Sequence, residues 1–408
     1  MLKIEDFNFN LRSNPQMQEF LYEFLELKPI KETKKSGSFS TDEEVIKHYA
    51  NVEDIEFCKL LIQYRKLHKA LNTYIYDIRR NVFDDGMIHH ELWLNIAETF
   101  RSSSTDPNLQ NIPKHGAIIA GLMWKIIRKI FVKLGPDWLL GEVDYDGAEV
   151  KVAAMVGDDP QLIEDVNNDL DMHSHWAIKL FGLKGYSYDE VKTKFGENER
   201  FLAKNNFTFA TLFGAGNSSI AVEMRKSPFY EAYVRQFYNV RTKKVQTWTP
   251  YFVDFSEVHV KECQDEFYTR YHIHKKWQDT TVDAFYKNGY VDNPFGFRRR
   301  YPLARNEIIN HPIQSTSFLL LLDSLILVDK ELTNNNWQTH LNNQVHDSGL
   351  ANINKYEAGD FIDMANDKMV NKPHLPWTQK VKMKTDWEFG ANWLDMKRVK
   401  SAAAETRL

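Results

Sequence analysis

Apolar residues recur at helical spacing over residues 17–27, which predicts an amphipathic helix. A polar break follows at 31–38. Ser40-Thr41-Asp42-Glu43 then opens a second helix, with Ser40 or Thr41 as the expected N-cap and acids in the first turn. Residues 56–76 form a longer amphipathic stretch that carries Arg65, Lys66 and Lys69, so residues 1–100 are predicted to be mostly helical. The pattern then changes. Trp138-Leu139-Leu140-Gly141-Glu142-Val143 predicts a buried strand ending at Asp144, and residues 148–156 return to helical spacing. Residues 197–211 and 264–287 each predict one helix. Residues 337–353 predict a β-hairpin with His346-Asp347-Ser348-Gly349 at or near its turn. The apolar run 318–328, interrupted by Asp323, reads as a buried helix too short to span a bilayer. Aromatic and basic residues fill 215–263 without a period that assigns an element.

A chain of 408 residues implies several subdomains, and 43% hydrophobic residues suffice for packed interiors. The net charge of −4 argues against a uniformly basic nucleic-acid coat, while leaving room for a local basic cleft. Phe297-Arg298-Arg299-Arg300-Tyr301 with Arg305 is such a concentration, or else a solvated charged turn. Cys58 and Cys263 form no CxxC pair, which disfavours a zinc site or a disulfide framework. The N-terminus has no basic-then-apolar signal pattern, so a cytoplasmic chain without a membrane partner is expected.

The candidate chemistry lies in four residues. Asp144 closes a predicted strand and Asp347 sits in a predicted turn. Either acid alone reads most simply as a turn residue or a helix cap. Two carboxylates brought together from distant strands can instead hold divalent metals, which prefer hard oxygen ligands and share them with substrate phosphates. Arg200 and Lys204 stand four residues apart on one helix face. A planar fork and a point charge in that array suit a triphosphate, although a solvated basic face is the commoner reason for such a pair.

Several longer segments carry a resemblance. These are Arg101-Ser102-Ser103-Ser104-Thr105-Asp106-Pro107-Asn108-Leu109-Gln110-Asn111-Ile112-Pro113, Asp144-Tyr145-Asp146-Gly147-Ala148-Glu149-Val150-Lys151, Gly157-Asp158 and Asp171-Met172-His173. Asn310-His311-Pro312-Ile313-Gln314-Ser315-Thr316, Gln344-Val345-His346-Asp347 and Asn392-Trp393-Leu394 complete the set. Together they resemble the family A (DNA polymerase I-like) DNA polymerases across nearly the whole chain. The resemblance implies an α+β right-hand fold with an antiparallel palm sheet, helical fingers and a helical thumb. The expected boundaries are thumb 1–100, palm 101–160, fingers 161–297 with an insertion at about 215–263, palm again at 298–397, and a tail at 398–408.

The resemblance also implies roles. Asp144 and Asp347, with the Tyr145 backbone carbonyl, would hold two Mg2+ ions, with Mn2+ as a substitute. Arg200 and Lys204 would bind the triphosphate, Lys204 also serving the chemistry. Phe209 would stack on the incoming base or sugar, and as a Phe would reject dideoxynucleotides. Tyr145, His173 and Phe213 would help to line the nucleotide site. Glu149 would be the steric gate against a ribose 2′-hydroxyl. Arg101, Gln314, His346 and Asn310 would contact primer–template, with Arg299 and Arg300 on template or phosphate and Arg65 and Lys69 gripping duplex phosphates. Expected partners are primer–template DNA and deoxynucleoside triphosphates, and the expected state is a monomer. The chain opens at the thumb, as a phage or viral polymerase with a separate exonuclease gene would. It is therefore expected to extend DNA without proofreading, with any 3′–5′ exonuclease or processivity subunit a separate polypeptide.

Three departures qualify the resemblance. Lys204 to Phe213 spans nine residues where the family usually has eight. One extra residue turns a helix face by about 100°. A π-bulge would absorb it and leave Phe209, rather than Thr208, in the stacking position. Phe213 replaces a Tyr whose hydroxyl commonly bonds the gate, so Glu149 is expected to be held less firmly. Ser348 replaces the Glu that commonly follows the second aspartate. His-Asp-Ser is also what single-subunit RNA polymerases carry, which makes such an enzyme the first alternative. A non-catalytic DNA-binding subunit is the second.

Overall fold

The computed structural model describes residues 9–33, 37–113, 118–119, 122–227, 230, 255–345, 347–371 and 376–399. The chain divides into two units. One comprises Met1–Glu91, Ser104–Phe131 and Asn392–Leu394; the other comprises Leu92–Ser103, Val132–Ala391 and Asp395–Leu408.

The first unit is helical. α1 (Asn14–Gln18) continues through a π turn, Glu19–Phe24, and is followed by α2 (Glu43–Asn51) and α3 (Glu56–Lys69). Met17, Leu21, Val45, Ile46, Tyr49, Cys58 and Leu61 from these helices form its core. The cap of α2 differs from expectation. Asp42 accepts from the Val45 amide at 3.0 Å, while Ser40 Oγ receives the Asp42 amide. A carboxylate on the N-terminal amides also meets the helix dipole, which favours Asp over either hydroxyl.

The second unit holds the only five-stranded sheet among the described residues. Its strands are β1 (Trp138–Tyr145), β2 (His340–Val345), β3 (Ser348–Asn354), β4 (Thr385–Gly390) and β5 (Lys397–Val399). The order is β5-β4-β1-β3-β2, and every neighbouring pair is antiparallel. Side chains alternate between faces. Val143, Tyr145, Ala351, Ile353, Trp387 and Phe389 point to one face, where they pack with Leu321, Leu325, Phe361 and Ile362. Those partners come from α10 (Arg305–Asn334) and α11 (Ala358–Asn366). Gly349 permits this fit, because a Cβ there would lie 2.7 Å from Leu325 Cδ2. The alternate positions, Glu142 and Asp144 among them, project from the opposite face.

Between β1 and α10 lie α4 (Ala148–Gly157), α5 (Met172–Phe181), α6 (beginning at Glu199–Leu202), α7 (Asn217–Arg225), α8 (Glu257–Arg270) and α9 (His272–Asn288). Val152, Trp176, Phe181, Phe207, Phe267 and Tyr271 are among the buried residues that join most of them in a second core. The single helix expected at 264–287 is broken at Tyr271, whose backbone leaves the helical region. Two distant acids set the break. Asp159 accepts from the Ile273 and His274 amides, capping α9, and Asp165 accepts from the Tyr271 hydroxyl at 2.7 Å. Helix α10 is far longer than the apolar run suggested. By length and composition it is long enough to cross a membrane, yet its apolar stretch is mostly buried inside the protein, as in a core helix. Of the unassigned stretch 215–263, residues 228–229 and 231–254 lie outside the described residues.

Candidate active site

Register brings the two candidate aspartates together. Asp144 pairs with Ser348 across β1 and β3, so Asp347, one residue earlier in the tight β2–β3 turn, adjoins the end of β1. His346, the neighbouring candidate, lies outside the described residues. Asp347 Oδ1 is buried without a hydrogen-bond partner and has the Arg101 Nη2 at 3.5 Å. The same Nη2 donates to Glu149 Oε1 at 2.8 Å. Arg101 thus bridges the Asp347 turn and the first turn of α4.

That bridge overturns the expectation of a loosely held Glu149. In place of the hydroxyl absent from Phe213, the Arg101 guanidinium donates a charge-assisted bond to the Glu149 carboxylate. It also changes the picture for Arg101, expected on DNA: here its guanidinium is occupied by two carboxylates. Burial raises the Glu149 pKa, Asp347 adds to the rise, and Arg101 and Lys204 oppose it. Glu149 therefore shares one electrostatic neighbourhood with the sheet's aspartate and the basic helix.

The basic helix is α6. It passes from Glu199–Leu202 through a π turn, Ala203–Thr208, and returns to α geometry at Phe209–Leu212. The extra residue between Lys204 and Phe213 is thus absorbed as a π turn. Thr208 is fully buried. Phe209 instead lies on the face of Lys204, whose Nζ stands 5.8 Å from the ring centroid. The Phe209 ring stacks on Phe213 at 5.9 Å and meets His173 at 5.5 Å. Downstream, Gly214 turns the chain with φ +79°, where an added Cβ would overlap Ile309.

Arg200 is held from behind. Its Nη2 donates to Asp171 Oδ1 at 2.9 Å, and its Nε to Asp171 Oδ2 and Ser174 Oγ. Burial opposes ionisation of Asp171, but these bonds prevail and keep its carboxyl below the usual range. His173 follows on α5. Burial, then Lys204 and Arg200, push its pKa down to about 4. Burial and the two neighbouring cations thus keep the imidazole neutral near pH 7.

Other expected contacts are placed differently. The Tyr145 side chain is turned into the sheet core, where its hydroxyl bonds Ser324 Oγ at 2.7 Å and the Met369 carbonyl at 2.8 Å. Only its backbone remains for the nucleotide or a metal. Arg299 is largely enclosed and pairs with Glu98 at 3.0 Å, while Arg300 is exposed on the other side of the same short strand. Arg65 braces its own unit by donating to the Thr41 carbonyl at 2.9 Å, and burial lowers its pKa; Lys69 is exposed. Asn310 and Gln314 lie one turn apart on α10, both half-buried, with Asn310 Oδ1 lacking a partner.

No cluster of three or more His, Cys, Asp or Glu side chains fit to hold an ion occurs among the described residues. The Asp144–Asp347 pair nonetheless suits a hard divalent cation, being two carboxylates on adjoining strand ends with one buried, unbonded oxygen. Two contributors were missed from the sequence as site residues. Asp171 was legible as an N-cap three residues before Ser174. Glu142 was legible as the position sharing the face of Asp144 by strand alternation.

The family model described as DNA polymerase family A matches residues 1–395. The chain is 27% identical over 401 residues to DNA polymerase I of Streptococcus pneumoniae serotype 4 (strain ATCC BAA-334 / TIGR4), covering 95% of this chain and 40% of that protein. It is 28% identical over 404 residues to DNA polymerase I of Geobacillus stearothermophilus, with the same coverage. The chain thus spans about two-fifths of the length of the curated relatives it matches. A solved structure, the POL domain of Pol1 from M. smegmatis in complex with DNA primer-template and dNTP, shares the fold with a TM-score of 0.75 at 24% identity; the match covers 94% of this chain and 61% of that one. The match over residues 1–395 places this chain in DNA polymerase family A.

Proposed function

We propose that this chain is a template-directed DNA polymerase that adds deoxynucleotides to a primer 3′-end. The observation that carries the reading is the convergence at Glu149. Its carboxylate is bonded to Arg101 and feels both Asp347 on the sheet and Lys204 on α6. A strand-end acid pair thereby meets a basic helix face across a carboxylate. This is the charge order needed for a cation, a triphosphate and a sugar. The S. pneumoniae and G. stearothermophilus relatives are named DNA polymerase I, and the M. smegmatis domain was solved with primer-template and dNTP.

In this reading Asp144 and Asp347 hold Mg2+, with Mn2+ as a substitute. When bound, such ions lower the pKa of the attacking hydroxyl and neutralise the leaving phosphates. The chain's own residues do the rest. Arg200, braced by Asp171 and Ser174, and Lys204 bind the phosphate oxygens. Phe209 offers a ring face to the base or sugar. Glu149, fixed by Arg101, occupies the space a 2′-hydroxyl would need. We assign residues 1–100 to the thumb, 101–160 and 298–397 to the palm, and 161–297 to the fingers. A monomer acting with a separate exonuclease or processivity subunit, in the cytoplasm, completes the proposal. A ribonucleotide polymerase is the second reading, favoured only by Ser348 after Asp347.

The test is primer extension by Asp144→Ala and Asp347→Ala beside the unaltered chain, with duplex affinity measured in parallel. Extension should be abolished and affinity retained. Extension that survives either change would remove the metal assignment.

A further inference from the structure

The Asp347 turn has a support that the four candidate residues do not explain. Ser348 Oγ donates to Glu142 Oε1 at 2.7 Å, with the Val345 carbonyl at 3.1 Å as a weaker alternative. A hydroxyl has one proton, and the shorter, charge-assisted bond to the carboxylate takes it. Ser348 and Glu142 are each only 5% exposed. Glu142 lies two residues before Asp144 on β1, and strand alternation puts both on one face. Ser348 pairs directly with Asp144 and follows Asp347. One hydrogen bond therefore ties the strand carrying the first aspartate to the turn carrying the second. A second bond works on the same turn: Gln344 Oε1 accepts from Ser102 Oγ at 2.5 Å, next to Arg101.

We propose that Glu142, acting through Ser348, is a positioning carboxylate that sets the Asp144–Asp347 spacing for divalent-cation binding. The inference rests on the proposed role of the two aspartates as metal ligands. It also gives a purpose to Ser348, one of the residues by which this chain departs from its family's usual sequence. The carboxylate that commonly stands at that position is found instead on the neighbouring strand, and the serine hydroxyl donates its hydrogen bond to it. Partners of metal ligands in this indirect position typically change affinity by about 10–100-fold when removed.

The experiment is a double-mutant cycle read by Mn2+ binding, followed through the electron paramagnetic resonance of free Mn2+. The chains compared are unaltered, Glu142→Ala, Ser348→Ala and the double variant. Circular dichroism checks that each is folded. Each single change should weaken Mn2+ binding by about tenfold, and the double variant should be no weaker than either single one, because both remove the same bond. Unchanged Mn2+ affinity in the folded single variants, or losses that multiply in the double, would overturn the proposal. If the alanine variants do not fold, Glu142→Gln and Ser348→Cys replace them. The shared loss is then expected to be smaller, and independent losses would again overturn it. Primer extension by the unaltered chain reads the polymerase assignment separately. A chain that shows the coupling but never extends a primer would sink that assignment and leave this one standing.

Discussion

At the scale of single residues, the site is a chain of charges whose members restrain one another. Arg101 is central, since it pairs with Glu149 at 2.8 Å and Asp347 at 3.5 Å. Hydrogen bonds to charged groups contribute about 1.5–3 kcal/mol. Arg101→Ala should therefore free the Glu149 side chain and reduce discrimination against ribonucleotides by about tenfold. Competition between deoxynucleotides and ribonucleotides in single-turnover incorporation measures this, and unchanged discrimination would mean that the gate is held by something else. His173 gives a pH dependence. Its folded pKa, about 4, lies below the ordinary 6.5. The fold thus favours the neutral ring, and its contribution to stability is fully present above pH 6.5. It is lost as pH falls toward 4, because the unfolded chain takes up the proton first; the most it could be worth is about 3 kcal/mol. His173→Phe should flatten that part of the stability profile in urea titrations between pH 7 and 4. His274, fully buried and likewise lowered to about 4, retains its own share of the slope.

At the scale of elements, the π turn in α6 decides which side chain shares the face of Lys204. Ala203–Thr208 absorbs one residue, so Phe209 rather than Thr208 joins Lys204. Deleting Asn205 should convert the π turn to ordinary α geometry and keep Phe209 on the same face. The deletion variant is expected to extend primers and to go on rejecting dideoxynucleotides. An alanine inserted after Leu202 should instead turn Arg200 about 100° away from Lys204 and Phe209 and raise the KM for nucleotide. If the deletion, too, abolishes nucleotide binding, the π turn is needed for its own geometry and does not merely take up slack. The same element shows what sequence can carry. The count from Lys204 to Phe213 revealed the extra residue, and the hairpin at Asp347 was legible from alternation. The break at Tyr271 was not, because the acids that set it, Asp159 and Asp165, lie more than a hundred positions upstream. The Arg101–Glu149 bridge was hidden likewise, since nothing local to either residue names its partner.

At the scale of the whole molecule, the sheet unit contains every candidate for catalysis and nucleotide binding. The helical unit supplies Arg65 and Lys69, and Arg65 braces its own helices. Chemistry and nucleotide selection are therefore expected to be properties of one unit. The measurement that tests the account most directly is extension of a labelled primer–template in Mg2+, offering deoxynucleotides and ribonucleotides in separate reactions. The account predicts template-directed extension with deoxynucleotides and little with ribonucleotides. Preference for ribonucleotides, or no extension by a folded chain that binds the duplex, would contradict it.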